Sequence, residues 1–250
     1  MAFPTTRWTL LAEATLHGDA AGREALARMC EDYRRPVMVY LLSRKLDAHE
    51  AEDAAQDFFL KLVESRVWRR ADQAKGKFRT FLLSVLNHHM MQRVRNEHRL
   101  KRGGSQTTSS LDELQEAGFE LLVVSSQEAA MFDREWALTL VADAVAQLES
   151  EFVRRGQKHE FQILNAFLPG ASATLSYDAA ATELETSLPA LKASVHRLRQ
   201  RFREILRSAV ARTVGAPHEV DEELRYLGTL LTHPQHAAQP EALLRKEEVS

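Results

Sequence analysis

Apolar residues along this chain recur at three- and four-residue steps and rarely alternate with period two, which predicts helices throughout and an all-α fold. The pattern is clearest from Leu175 to Leu206, which reads as two helices joined by a tight turn. Ser176 can start the first by accepting an otherwise orphan backbone N–H, and Asp178 suits the positive end of its dipole. Tyr177, Ala180, Ala181 and Leu184 give that helix a packing face. Ser187 can cap the second helix, and Pro189 falls in its first turn, where a missing N–H costs nothing. Leu191, Val195, Leu198, Phe202 and Ile205 then form a buried stripe, while Lys192, His196, Arg197, Arg199, Arg201 and Arg203 occupy the other side. A helix that packs on one face and is basic on the other fits a helix-turn-helix that meets DNA. Glu185 and Thr186 stand in the turn, where glycine is common; a positive φ there would strain Glu185.

In the segment AHEAEDAAQDFFLKLVES, Ala51, Ala54, Ala55, Phe58 and Leu62 make one buried side. Asp53 and Asp57 stand four residues apart on another face, with Gln56 near them. Two such carboxylates suit a metal pair, an acid/base pair, a docking surface for a basic partner, or plain solvation. Neither a third ligand at supporting spacing nor a glycine-rich phosphate loop accompanies them, so catalysis is the weakest of these readings. A basic loop containing Gly76 follows, and then a helix with Phe78, Phe81, Leu82, Val85 and Leu86 as core contacts. Arg79, Thr80, Asn87, His88, Gln92, Arg93, Arg95 and Arg99 remain for a second surface. Basic groups neutralise phosphates and polar or aromatic groups hold unstacked bases, so this surface suits separated DNA strands as well as solvent. His88 and His89 are adjacent, so their side chains diverge by about 100° on a helix and make a poor metal pair.

The stretch KRGGSQTTSS, from Lys101 to Ser110, has the composition of a flexible connector, which we extend to about Glu128. A second helical block begins near Asp133 and is punctuated by Pro169 and Gly170. Beyond Val210, HEVDEELRYLGTLL predicts one more helix, placed to pack on the second block, cover its basic face or bind another protein. The architecture is then two small helical domains joined by a flexible linker, the second holding the helix-turn-helix.

Composition narrows the chemistry. Across 250 residues the net charge is −2, so attraction to DNA must come from local clusters such as Trp68–Arg102. Cys30 is the only cysteine, which excludes an intrachain disulfide and a cysteine-built zinc site. The first residues lack the basic start and apolar core of a signal peptide, and no apolar run is long enough for a bilayer, so a cytoplasmic protein without a membrane partner is expected. No nucleophile, metal set or cofactor loop stands out: neither an enzyme nor a cofactor is expected.

The order of features carries more than any one of them. The acidic AEDAAQDFFLKL, the basic loop leading into GKFRTFLLSVLNHHMMQRVR, a linker, and the terminal SYDAAATEL and LKASVHRLRQRF together resemble an extracytoplasmic-function (group IV) sigma factor of RNA polymerase, with a C-terminal extension. The resemblance implies region 2 over residues 5–100, a linker over 101–130, region 4 over 131–210 and the extension over 211–250. It implies a sigma subunit that binds bacterial core polymerase, at the β′ clamp helices and the β subunit, and directs promoter-specific initiation. Asp53, Gln56 and Asp57 would face the clamp helices. Arg69, Arg70, Lys75, Lys77, Arg79, Asn87 and Arg93 would melt and read the −10 element. Ser187, Lys192, Ala193, His196, Arg197, Arg199 and Arg201 would meet the −35 element. Promoter DNA is the other implied partner, and an anti-sigma factor or a regulatory kinase is a candidate controller. The family often has Trp where Phe81 stands and usually Gly where Glu185 stands. The alternative is a helix-turn-helix regulator that does not bind core polymerase; an inactive sigma-like antagonist is a third reading.

Overall fold

The computed structural model describes residues 20–71, 76–101, 125–171, 175–214 and 216–232, and among these every regular element is helical. The fold is all-α, as the periodicity predicts. The described chain divides into two units, one made of the residues up to Ala137 and from Ala211 onward, the other of Leu138–Val210.

Among the described residues the first unit begins with three long helices: α1 (Ala20–Ser43), α2 (Ala48–Glu64) and α3 (Phe78–Lys101). Asp47 fixes the start of α2 through a reciprocal box, in which its Oδ1 accepts from the Glu50 N–H at 2.8 Å and Glu50 Oε2 accepts from the Asp47 N–H at 3.2 Å. The predicted stripe Ala51, Ala54, Ala55, Phe58 and Leu62 is the buried face of α2. A fourth helix, α4 (Ser126–Arg154), gives its first turns to this unit. It begins inside the stretch read from sequence as connector, because Ser125 and Glu128 form a second capping pair: Ser125 Oγ accepts from the Glu128 N–H at 3.3 Å, and Glu128 Oε2 from the Ser125 N–H at 3.1 Å. Residues 102–124, the rest of that connector, lie outside the described residues.

Tyr33 centres the core of this unit, edge-on to Phe78 at 5.7 Å and stacked on Phe132 at 6.4 Å. Tyr40, Leu41, Leu82, Leu86 and Trp136 are buried in the same unit. Glu135, buried on α4, accepts from Arg35 of α1 and from its neighbour Arg134, both at 2.9 Å, so its charge is paired on both oxygens.

The second unit holds the rest of α4, then α5 (Lys158–Leu164), α6 (Tyr177–Glu183) and α7 (Leu188–Ala211). Both predicted caps form: Ser176 Oγ accepts from the Ala179 N–H at 3.1 Å and Ser187 Oγ from the Ala190 N–H at 3.4 Å. Leu191, Val195, Leu198, Phe202 and Ile205 join Leu148, Phe161, Leu164, Ala180 and Ala181 in one core cluster. Each leucine, isoleucine, valine and phenylalanine side chain among them contributes about 1.5–3 kcal/mol by leaving water, so this cluster is what holds the short helices α5 and α6 against α7.

The helix expected after Val210 also forms, as α8 (Val220–Thr232), led in by a 3-10 turn at Pro217–Glu219. Its seat differs from those weighed in the sequence. It packs within the first unit, where Glu223 meets Lys77 and Arg79 and Tyr226 meets Asp133.

Candidate partner and nucleic-acid surfaces

The acidic face of α2 lies opposite its alanine stripe. Asp53 and Gln56 are exposed and Asp57 is half-exposed. Each polar group already has a local partner. Asp53 Oδ2 lies 3.3 Å from His49 Nδ1, Gln56 donates to Glu52 at 3.2 Å, and Lys61 donates to Asp57 at 2.8 Å. The His49 pKa is raised by its own backbone hydrogen bond and by Asp53. Glu52 is held below the usual carboxylate range by Arg34 and Gln56, with Arg34 Nη2 reaching both of its oxygens at 2.7 and 2.8 Å. Exposed pairs of this kind are worth about 0–1 kcal/mol, so an arginine from a partner can replace them at little cost. Behind this face, His89 lies buried on α3 with Nε2 3.4 Å from Asp57 Oδ2.

The basic loop follows α2 through a 3-10 turn, Val67–Arg70, whose Val67 and Trp68 are buried and whose Arg69 and Arg70 are exposed. The Arg69 guanidinium lies over the Trp68 ring at 5.4 Å, so the indole orients an arginine at the surface. Gly76 has φ 130, a conformation that L side chains rarely adopt, which is what glycine supplies just before α3. Lys75 lies outside the described residues. Arg93 is half-buried on α3.

Two other residues in this group face inward. Asn87 is buried, and its Oδ1 accepts from the Tyr40 hydroxyl at 3.1 Å and from Arg44 at 3.0 Å. Arg79 is 2% exposed, with Nε donating to Asp133 Oδ1 at 2.7 Å, Nη2 at 2.6 Å from Glu223 Oε1, and the guanidinium over the Trp136 ring at 4.7 Å. Burial opposes its charge, but Asp133 and Glu223 outweigh that and hold its pKa above the ordinary arginine value. Lys77, partly exposed, is shared between the Glu223 carboxylate and the face of Tyr226. The sequence reading missed Asp133, Trp136, Glu223 and Tyr226 as a group; the acidic run at the head of α8 was its one visible trace.

On α7, Lys192, Ala193, His196 and Arg197 are exposed on the side away from the core stripe. Arg197 donates to Ser194 Oγ at 3.0 Å, one turn back on the same helix. Two further arginines, Arg199 and Arg201, are tied to the unit itself. Arg199 Nε donates to the Phe167 carbonyl at 2.8 Å. Arg201 forks onto Glu151, Nε to Oε2 at 3.0 Å and Nη2 to Oε1 at 2.7 Å. That pairing holds Glu151 below the usual carboxylate range and raises the Arg201 pKa. These side chains anchor α7 to α4 and to the turn after α5, which aims the Lys192–Arg197 surface.

Residues 29–100 match the family model described as Sigma-70 region 2. The match runs from Met29 in α1 to Leu100 in α3 and takes in the acidic face of α2 and the basic loop. This similarity supports a sigma factor in transcription initiation, a non-enzymatic role, and region 2 implies RNA polymerase core and promoter DNA as partners. No curated protein and no solved structure matches the chain. Among the described residues no helix is long and apolar enough to cross a membrane.

Proposed function

We propose that this chain is a sigma factor of the extracytoplasmic-function group, which binds bacterial core RNA polymerase and selects promoters through two separate DNA-reading surfaces. The observation that carries the reading is the Sigma-70 region 2 match over the same residues that fold into α1–α3. On this reading Asp53, Gln56 and Asp57 dock on the β′ clamp helices, where carboxylates and an amide pair with arginines and fix orientation. Arg69, Arg70, Lys77 and Arg93 hold the backbone of the −10 strand, with Arg79 behind Lys77 on the same carboxylate of Glu223, while Asn87, buried, sets the course of α3. A flipped base costs a few kcal/mol, which its pocket and phosphate contacts must offset.

Within the expected span 131–210, the second unit, Leu138–Val210, acts as region 4. The two capped helices α6 and α7 stand in helix-turn-helix order, and Lys192, Ala193, His196 and Arg197 offer donors for guanine edges and a methyl for thymine in the major groove. Ser187 sits at the N-terminus of α7, where a phosphate is favoured. The protein works in the cytoplasm, and an anti-sigma factor or kinase can control it.

Assembly with purified core polymerase tests this directly. The wild-type chain is expected to form holoenzyme, and the double reversal Asp53→Arg/Asp57→Arg to weaken it by about tenfold or more with an unchanged circular-dichroism melt. A DNA-binding regulator with no polymerase contact would show no assembly with either chain.

A further inference from the structure

The inward face of α8 repeats at helical spacing through Val220, Glu223, Leu227 and Leu230, all buried. Three of these positions are apolar and one is a carboxylate at 2% exposure. A carboxylate at such a position is tolerated only when it is paired, and its partners are Lys77 Nζ and Arg79 Nη2. One turn further on, the Tyr226 hydroxyl donates to Asp133 Oδ2 at 2.9 Å, and Asp133 in turn accepts from Arg79 at 2.7 and 3.3 Å. Helix α8 therefore places a negative group on the cations that follow the basic loop in sequence.

The contact is incomplete. Glu223 Oε1 and Arg79 Nη2 are close but not aligned as a hydrogen bond, and among the described residues the buried Arg79 Nη1 has no hydrogen-bond partner. A tetrahedral phosphate offers more acceptor oxygens to an arginine and a lysine than one carboxylate can. Lys77 also remains partly open to solvent, so a strand can approach it while α8 is still docked.

We propose that α8 is an intramolecular stand-in for the DNA backbone: Glu223 holds the Lys77–Arg79 cation pair that a strand phosphate takes when region 2 engages the promoter, and α8 yields that pair to DNA. This rests on the reading of region 2 as a DNA-binding surface. It makes the extension after Val210 a built-in brake on −10 binding.

The test uses the full chain and a labelled single-stranded oligonucleotide, followed by fluorescence anisotropy across a salt series. Glu223→Gln keeps the helix and removes the competing charge; Tyr226→Phe loosens α8 by removing only the hydroxyl on Asp133 and keeps the ring over Lys77. Both variants are expected to bind more tightly than wild type, Glu223→Gln by about tenfold and with a salt slope steeper by about 0.7 for the regained phosphate contact. Lys77→Glu is expected to lose that gain when combined with Glu223→Gln. Equal affinity of wild type, Glu223→Gln and Tyr226→Phe, with binding present, overturns the brake and makes α8 a fixed strut while leaving region 2 a DNA binder. Absence of binding by every variant overturns the DNA reading, and the brake with it. Should Glu223→Gln fail to fold by circular dichroism, the Tyr226→Phe comparison decides.

Discussion

His89 shows how a histidine near a carboxylate can still be neutral. It lies 3.4 Å from Asp57, but Phe58 packs beside it at 5.7 Å, and among the described residues its Nε2 has no hydrogen-bond partner. Burial lowers its pKa to about 4, against the opposing pull of Asp57. In the unfolded chain the group titrates near 6.5, so between about pH 6.5 and 4 the unfolded state binds more protons and stability rises with pH. The full contribution is present above about pH 6.5 and is lost as pH falls toward 4; a shift of this size corresponds to about 3 kcal/mol. Urea midpoints at pH 7 and 4.5 are expected to differ by less in His89→Leu than in wild type. An unchanged difference would mean that His89 is solvated. Cys30 follows the same logic in the opposite direction: burial, with Glu31 beside it, pushes its thiol up to about 11, leaving it protonated and a weak nucleophile at neutral pH.

At the scale of the element, two helices of the second unit end in the same motif with different residues. α4 closes with Gly156 at φ 74, whose N–H donates to the Val153 carbonyl at 2.9 Å while Gln157 donates to Phe152 at 2.9 Å. α6 closes with Glu185 at φ 50, which donates to Thr182 at 3.1 Å while Thr186 donates to Ala181 at 2.9 Å. Both are Schellman endings, in which the left-handed position favours glycine. The strain that the sequence raised at Glu185 is therefore real, and the hydrogen bonds that turn the chain toward α7 maintain it. A left-handed L residue costs about 1–2 kcal/mol, part of which glycine gives back through the freedom of its unfolded chain. Glu185→Gly is expected to raise the urea midpoint by the equivalent of about 1 kcal/mol at unchanged m-value. A loss of stability would contradict the assignment.

Helix identity was legible where periodicity and caps agreed. Ser176, Ser187 and Pro189 mark the starts of α6 and α7, and the stripes on α2 and α7 name their own buried residues. The start of α4 was not, since the Ser125–Glu128 pair sits next to a polar run that reads as connector. Nor can periodicity say what an amphipathic helix packs against, so α8 was visible while its seat was not. Arginines were the hardest to read. Arg199 and Arg201 look in sequence like Lys192 or Arg197, but an arginine that pairs inside a unit and one that waits for phosphate differ only in whether a carboxylate or carbonyl stands near in space.

For the whole molecule, a net charge of −2 conceals local arrangements of opposite sign. Acidic groups line α2, cations flank the loop before α3 and one face of α7, and α8 returns a carboxylate to the cations of the first unit. Such a chain has little long-range attraction for DNA and gains it through particular surfaces. This suits a subunit that is carried to promoters by a larger enzyme.

On the function proposed above, this chain directs polymerase to promoters. Transcription in vitro from a library of promoter fragments, with purified core polymerase and the chain, tests it most directly. The expected result is a set of transcripts that require the chain and share one pair of −10 and −35 elements upstream of their starts; the absence of any chain-dependent transcript would contradict it.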